Sequence, residues 1–249
     1  MSFSDSHCHL DGYQPELLTE VLEQARVKGV DIIVGMGMTL ESSVETLRLA
    51  QSHERVLAAI GIHPWNAITP TDEIRRHLYE LARREHVVAM GEIGLDYARN
   101  PQTKEIQREL LIYELSLARE TGLPVSIHCR EAHQDMMDIL RRETGSGVRG
   151  VIHGFSGDST ALKDWLNLGF YISIGRRVVA TNEISSLEAA VREIPLDRLL
   201  TETDSSVGGQ SAGPADVVSV VEKLASLRGA TIEEIANTAT ANLKRLIKL

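Results

Sequence analysis

The sequence is poor in cysteine. Two residues in 249, Cys8 and Cys129, are too few for a disulfide scaffold and fit a reducing cytosol. No apolar run approaches the roughly 20 residues that a membrane-spanning helix needs, which excludes an integral membrane protein of that kind and leaves no membrane partner expected. The first residues, MSFSDSHCHLDG, lack the basic stretch followed by an apolar one that marks a secretory signal, so a cytoplasmic location is expected. Basic residues are in deficit as well, 26 Lys+Arg against 35 Asp+Glu, for a formal net charge of −9. A face that wraps duplex DNA carries clustered Lys and Arg, so an extended duplex-DNA face is not expected here. The acidity does not exclude a small phosphate-bearing substrate held by local groups. Also missing is any low-complexity run, charge block or Pro/Gly linker, so residues 1–249 are expected to form one domain. What is present, 43% hydrophobic and 24% charged residues, is the balance of an ordinary globular protein with one large core.

Short β-branched or apolar runs recur along the chain, each followed by a longer stretch of helical spacing. Strands are expected at 3–9, 32–35, 56–61, 87–92, 124–129, 150–155, 170–175 and 199–204. Between them, segments such as 17–28, 106–121 and 132–143 place apolar residues at helical intervals. Gly29, Gly122 and Gly169 stand where helix C-caps are expected. Eight strands alternating with helices in about 250 residues fit an α/β fold, a single (β/α)8 TIM barrel. The rival, a doubly wound open sheet, usually shows a Gly-rich phosphate loop after its first strand, and here that position reads HCHLDG.

In such a barrel function collects at the C-terminal ends of the strands, and imidazoles and carboxylates fall there with high frequency. The first strand ends in His7-Cys8-His9. Positions i and i+2 share a face, so both imidazoles can face the mouth while Cys8 points to the helices. That pair suits a divalent metal, although two hydrogen-bonded histidines are the plainer alternative. Glu92 follows the apolar run VVAM, a costly place for a carboxylate unless a metal or a salt bridge satisfies it. His128 ends PVSIHCR, His153 ends GVIH and Asp204 ends LLTETD. Each alone admits a structural role. Together, four imidazoles and two carboxylates on five strand ends amount to a ligand set for a binuclear metal site.

The blocks SHCHLD, GIHPW, GEIGLDY, SIHCREA, HGFSG and TETDS resemble the signatures of the TatD-type metal-dependent hydrolases, amidohydrolase-like barrels that include deoxyribonucleases. The resemblance runs from Ser6 to about Ser205, with Gln107 and Asn242 as further matching context. It implies that His7, His9 and Asp204 hold one divalent cation, that His128 and His153 hold another, and that Glu92 bridges them. Two neighbouring cations need an anionic bridge, which a carboxylate provides, and a water between them has its pKa lowered. Asp204 can accept a proton from that water, so Asp204 and Glu92 are the expected catalytic carboxylates. Four imidazoles suit Zn, Mn, Co, Ni or Fe better than Mg, which prefers oxygen, whereas the resemblance implies Mg-supported nuclease activity in some members.

His63, in GIHP, lies outside that ligand set and is expected to contact substrate, at a phosphate oxygen; a structural hydrogen bond is its plainer role. Arg130 can clamp a phosphate bidentately or face solvent. Arg176, with Arg177, follows the seventh strand, where barrels often place a phosphate site, or forms a solvated turn. Asp96 and Tyr97 are expected to shape a loop, Trp165 to pack, Trp65 to pack or, following the GIHP turn, to line the mouth, and His53, His77, His86 and His133 to lie on helical surfaces. The chain departs from the family after Asp204. Residues 205–214 read SSVGGQSAGP in place of a Pro–aromatic pair and a later Arg-Asn-x-Pro segment, which puts substrate choice in doubt but not metal binding. The expected activity is metal-dependent hydrolysis of phosphoester bonds in DNA ends, short single strands or nucleotides by a metal-activated water, in a monomer. Alternatives are hydrolysis of an amide, lactone or carboxylic ester at the same site, or a metal-holding barrel that binds a ligand without turnover.

Overall fold

The β-branched runs form strands and the amphipathic stretches between them form helices. The structure is a computed structural model that describes residues 1–144, 147–180, 185–205 and 213–249. The strands are β1 (Phe3–Cys8), β2 (Val30–Met36), β3 (Val56–Ile60), β4 (Val87–Asp96), β5 (Val125–Arg130), β6 (Gly150–Ile152), β7 (Tyr171–Ile174) and β8 (Leu199–Thr201). The helices are α1 (Pro15–Val27), α2 (Leu40–Ser52), α3 (Asp72–Ala82), α4 (Lys104–Thr121), α5 (His133–Thr144), α6 (Ser159–Asn167), α7 (Arg177–Ala180), α8 (Ser185–Glu193), α9 (Val217–Arg228) and α10 (Ile232–Ile247). All eight strands belong to one parallel sheet whose neighbours follow chain order from β1 to β8, the order of a (β/α)8 barrel. Among the described residues no helix is long and apolar enough to cross a membrane.

Two compact units divide the residues. The first comprises Met1–Gly35 and His153–Leu249. Its core is built from α9 and α10, which bury Val220, Val221, Leu224, Ile235, Ala239 and Leu243. Asn242 Nδ2 donates to the carbonyls of Leu196 (2.8 Å) and Leu199 (2.9 Å) and so fixes the entry to β8. Trp165 packs, as expected, edge-on against Phe170 at 5.5 Å. The second unit is Met36–Ile152. There Leu78, Met90, Ile93, Leu110, Leu111, Leu115 and Leu140 are buried between β4 and helices α3 to α5. The helix ends follow local chemistry: Thr39 and Ser42 form a capping box on α2, Thr71 caps α3, and Gly122 takes a left-handed conformation after α4.

Several strand limits differ from the sequence expectation for a physical reason. β4 runs four residues further, to Asp96, because it stays paired with β5 through Asp96 and Arg130. β8 stops at Thr201 and β6 at Ile152; beyond them Asp204 (φ 47°) and Gly154 (φ 55°) turn the backbone out of extended geometry. His86 lies outside the helices, with φ 72°, and His53 is the residue that ends α2.

Glu114 on α4 is fully buried and accepts the Ile62 N–H at 2.8 Å. Burial pushes its carboxyl well above the usual range, outweighing the N–H that favours the ionised form. The folded protein therefore keeps this proton at pH values where the unfolded chain, at 4.5, has released it. The folded state then binds more protons than the unfolded one, so stability falls as pH rises above that value. Glu114→Gln retains an oxygen for Ile62 and removes the titration. Urea unfolding is expected to show similar stability for both proteins at acid pH, with the variant gaining as pH rises, by up to about 1.4 kcal/mol per pH unit. An advantage that shrinks with pH would contradict this.

Candidate metal centre

In the second unit the segment after β3 and the strands β4 and β5 bring His63, Glu92 and His128 together, with ligand atoms all within 4.8 Å of one another. Glu92 is 2% exposed, and its Oε1 lies 3.1 Å from His63 Nε2 and 2.9 Å from His128 Nδ1. His63 Nδ1 accepts the Trp65 N–H at 3.1 Å, which leaves the ring proton of a neutral His63 on Nε2, facing Glu92. His63 thus stands as a hydrogen-bond partner of Glu92. His128 turns Nε2 to Asp96 Oδ2 at 3.0 Å, so Nδ1 is the nitrogen turned to Glu92.

Asp96 does more than shape a loop. It is buried, and Oδ2 also accepts the Trp65 indole N–H at 2.6 Å while Oδ1 accepts the Arg99 N–H at 2.8 Å. Burial pushes its carboxyl up, but the bonds from His128, Arg99 and Trp65 prevail and hold it well below the usual range. Gln107 secures the same residue's backbone, accepting the Asp96 N–H at 2.8 Å and donating to its carbonyl at 3.1 Å. Trp65 is half-buried at this edge rather than packed in the core.

The first unit carries a second cluster. His7 and His9 follow one another on alternate positions at the end of β1, and their Nε2 atoms lie 3.8 and 3.6 Å from Asp204 Oδ1. The imidazoles are buried while the Asp204 side chain is half exposed. His153 stacks on His7, ring centroids 3.8 Å apart. Beneath them Asp5 accepts from Thr203, at 2.9 Å from N–H and 2.5 Å from the hydroxyl, tying β1 to the segment that bears Asp204. Burial pushes the Asp5 carboxyl up to about 8 against those bonds. Glu202 is also buried; it accepts the Gly154 N–H at 2.6 Å and reaches within 3.6 Å of His153 Nδ1.

The three substrate candidates are placed differently. His63 is 1% exposed. Arg130 is exposed at the end of β5. Arg176 is half-buried, donates from Nε to the Thr203 carbonyl at 3.0 Å and lies 3.7 Å from Asp216. Residues 206–212, most of the departing loop, lie outside the described residues. Cys8 and Cys129 are held as thiols by burial, Cys129 pushed up to about 12. Asp5, Glu202 and the role of Asp96 escaped the sequence reading. The signal for two of them is period-two alternation, which puts Asp5 on the face of His7 and Glu202 on the face of Asp204.

Both clusters join imidazole nitrogens to a carboxylate oxygen, a donor set that fits a divalent first-row cation. One backbone contact fixes the cluster of Glu92 and His128. Gly94 (φ 151°) pairs with His128 across β4 and β5, and a Cβ placed there would meet the His128 carbonyl oxygen at 2.0 Å. Gly94→Ala is expected to force the two strands apart, costing roughly 2–3 kcal/mol in urea unfolding and weakening metal uptake. Wild-type stability and metal affinity in that variant would show that the close approach is dispensable.

The family described as TatD related DNase matches residues 4–248. The chain is 37% identical over 252 residues to the uncharacterized metal-dependent hydrolase YabD of Bacillus subtilis (strain 168), covering 98% of each. It is 31% identical to the 3′-5′ ssDNA/RNA exonuclease TatD of Enterobacter lignolyticus (strain SCF1), covering 91% of each. The crystal structure of the TatD homolog YjjV of Escherichia coli K12 superposes with a TM-score of 0.89 at 31% identity, over 99% of this chain and 98% of that one.

Proposed function

Because this chain belongs to the TatD related DNase family of metal-dependent hydrolases, we propose that it hydrolyses phosphodiester bonds at the ends of DNA or in short single strands. The observation that carries the reading is the pair of imidazole–carboxylate clusters at the strand ends, His7/His9/Asp204 in one unit and His63/Glu92/His128 in the other. In this reading His7, His9 and Asp204 hold one divalent cation, His128 and His153 hold a second, and Glu92 serves both. Two such cations supply Lewis-acid charge for the phosphate oxygens and lower the pKa of a nearby water. Imidazole-rich donors favour Zn, Mn, Ni, Co or Fe over Mg.

The protein's own groups account for the remaining work. Asp204 accepts the proton of the attacking water: its carboxylate is half exposed, so it can meet both water and the buried imidazoles. His63 donates to Glu92 and fixes the direction of that carboxylate's lone pairs. Asp96 anchors the far nitrogen of His128, so the ring keeps Nδ1 toward Glu92. Arg130, exposed beside this cluster, takes a phosphate oxygen of the substrate, and Arg176 takes another beside Asp204. The exonuclease named above acts on single-stranded DNA and RNA, and the same substrate class suits a chain of net charge −9. We place the enzyme in the cytoplasm as a monomeric single domain that binds no membrane.

The decisive assay sets the metal-reconstituted protein against single-stranded DNA, RNA, an aryl phosphodiester and an aryl ester. Cleavage of the nucleic acid and the phosphodiester is expected. Ester turnover without phosphate cleavage would replace this reading with a carboxylic-ester hydrolase. Asp204→Asn keeps a residue that tolerates positive φ, and is expected to lower phosphodiester turnover at least about 10²-fold with an unchanged circular dichroism spectrum. Full activity in that variant would remove Asp204 from the mechanism.

A further inference from the structure

We propose that Arg99 and Lys104, each seated on an aromatic ring beside the ends of β4 and β5, form a subsite for the backbone of a single-stranded nucleic acid next to the bond being cleaved. The inference rests on the nuclease reading above and extends it to residues outside the metal clusters.

Arg99 holds its guanidinium carbon 4.0 Å over the Trp65 ring, and Lys104 holds its ammonium 4.4 Å over Tyr97. Both cations are exposed, as is Arg130 on the adjoining strand, and among the described residues none of the three forms an ion pair. Arg108 nearby is different: Glu105 and Asp135 balance it, each at 3.6 Å. In a protein of net charge −9, these three cations stand out in having no carboxylate partner among the described residues.

The patch is built, not merely exposed. The Arg99 N–H is bonded to Asp96, and the side chain of Asn100, next in sequence, donates to the Trp65 carbonyl at 3.1 Å. The Tyr97 N–H donates to the Arg130 carbonyl at 2.9 Å, and the Tyr97 hydroxyl donates to Asp135 at 2.7 Å. The rings and the cations therefore share one frame with Asp96, which also holds His128. A cation over a ring is positioned by the quadrupole while its outer N–H groups remain available to phosphate. Cations held in fixed places along a groove grip the phosphates of a single strand without reading its sequence. Two or three cations span only a few phosphates, a footprint suited to a chain end.

The test separates binding from turnover. Arg99→Gln/Lys104→Gln and wild type are compared by anisotropy of a fluorescein-labelled oligothymidylate, in chelator, across a salt series. The double variant is expected to bind on the order of tenfold more weakly, with the slope of log K against log salt reduced in magnitude by about 1.4. With metal restored, its KM for the oligonucleotide rises, kcat holds, and turnover of a small aryl phosphodiester is unchanged. Equal affinity and slope in a wild type that cleaves the oligonucleotide would overturn this inference alone. So would a matching loss on the small phosphodiester, which would mark a structural role. A wild type that cleaves neither phosphodiester would overturn the nuclease reading, and this inference with it.

Discussion

Carboxylates do not stay buried and charged unless something compensates them. Glu92 and Asp96 lie on β4 with almost no solvent. The cost of desolvating each is several kcal/mol if it is left alone. Their surroundings are arranged as that compensation: two imidazole nitrogens on Glu92, and an indole, a backbone amide and an imidazole on Asp96. The groups that pair the carboxylates are also the groups that aim the histidines. A cation brought to such a cluster finds its anionic charge already dehydrated, which raises the strength of the interaction above its value in water.

The fold was legible because its signals are periodic. Runs such as VVAM before Glu92 and PVSI before His128 announce strands buried on both faces, and Gly122 announces the end of a long amphipathic helix. The extent of β4 was not legible, because the apolar run ends before Gly91 while the structure carries the strand on to Asp96 and uses Gly94 for close approach to β5. The histidines and Glu92 stood out because polar residues ending apolar runs are rare. Asp96 did not, because its partners, Trp65, Arg99 and His128, come from three separate segments that only pairing of β3, β4 and β5 brings together. For the same reason Glu114, on a helix face, gave no hint that it would accept the Ile62 N–H at the end of β3.

Global acidity and local charge point in opposite directions here, and the local distribution is the one a ligand meets. Two dications would outweigh the two carboxylates that help hold them, and the rim bearing Arg99, Lys104 and Arg130 adds charge of the same sign. Acidic residues also occupy the first turns of α1 and α3, Glu16 in one and Asp72 and Glu73 in the other, where the helix dipole favours them.

The contact at Gly94 also has a mechanical meaning. Where β4 meets β5 there, main chain lies against main chain with no side chain between, so that spacing has no rotamers to explore. Glu92 and His128 consequently ride on a stiff pair of strands. His7 and Asp204 are joined instead through the Asp5 and Thr203 side chains and by an Asp204 N–H to His7 carbonyl bond. The separation of Glu92 from His128, by contrast, is set by main chain and not by the choice of side-chain rotamers.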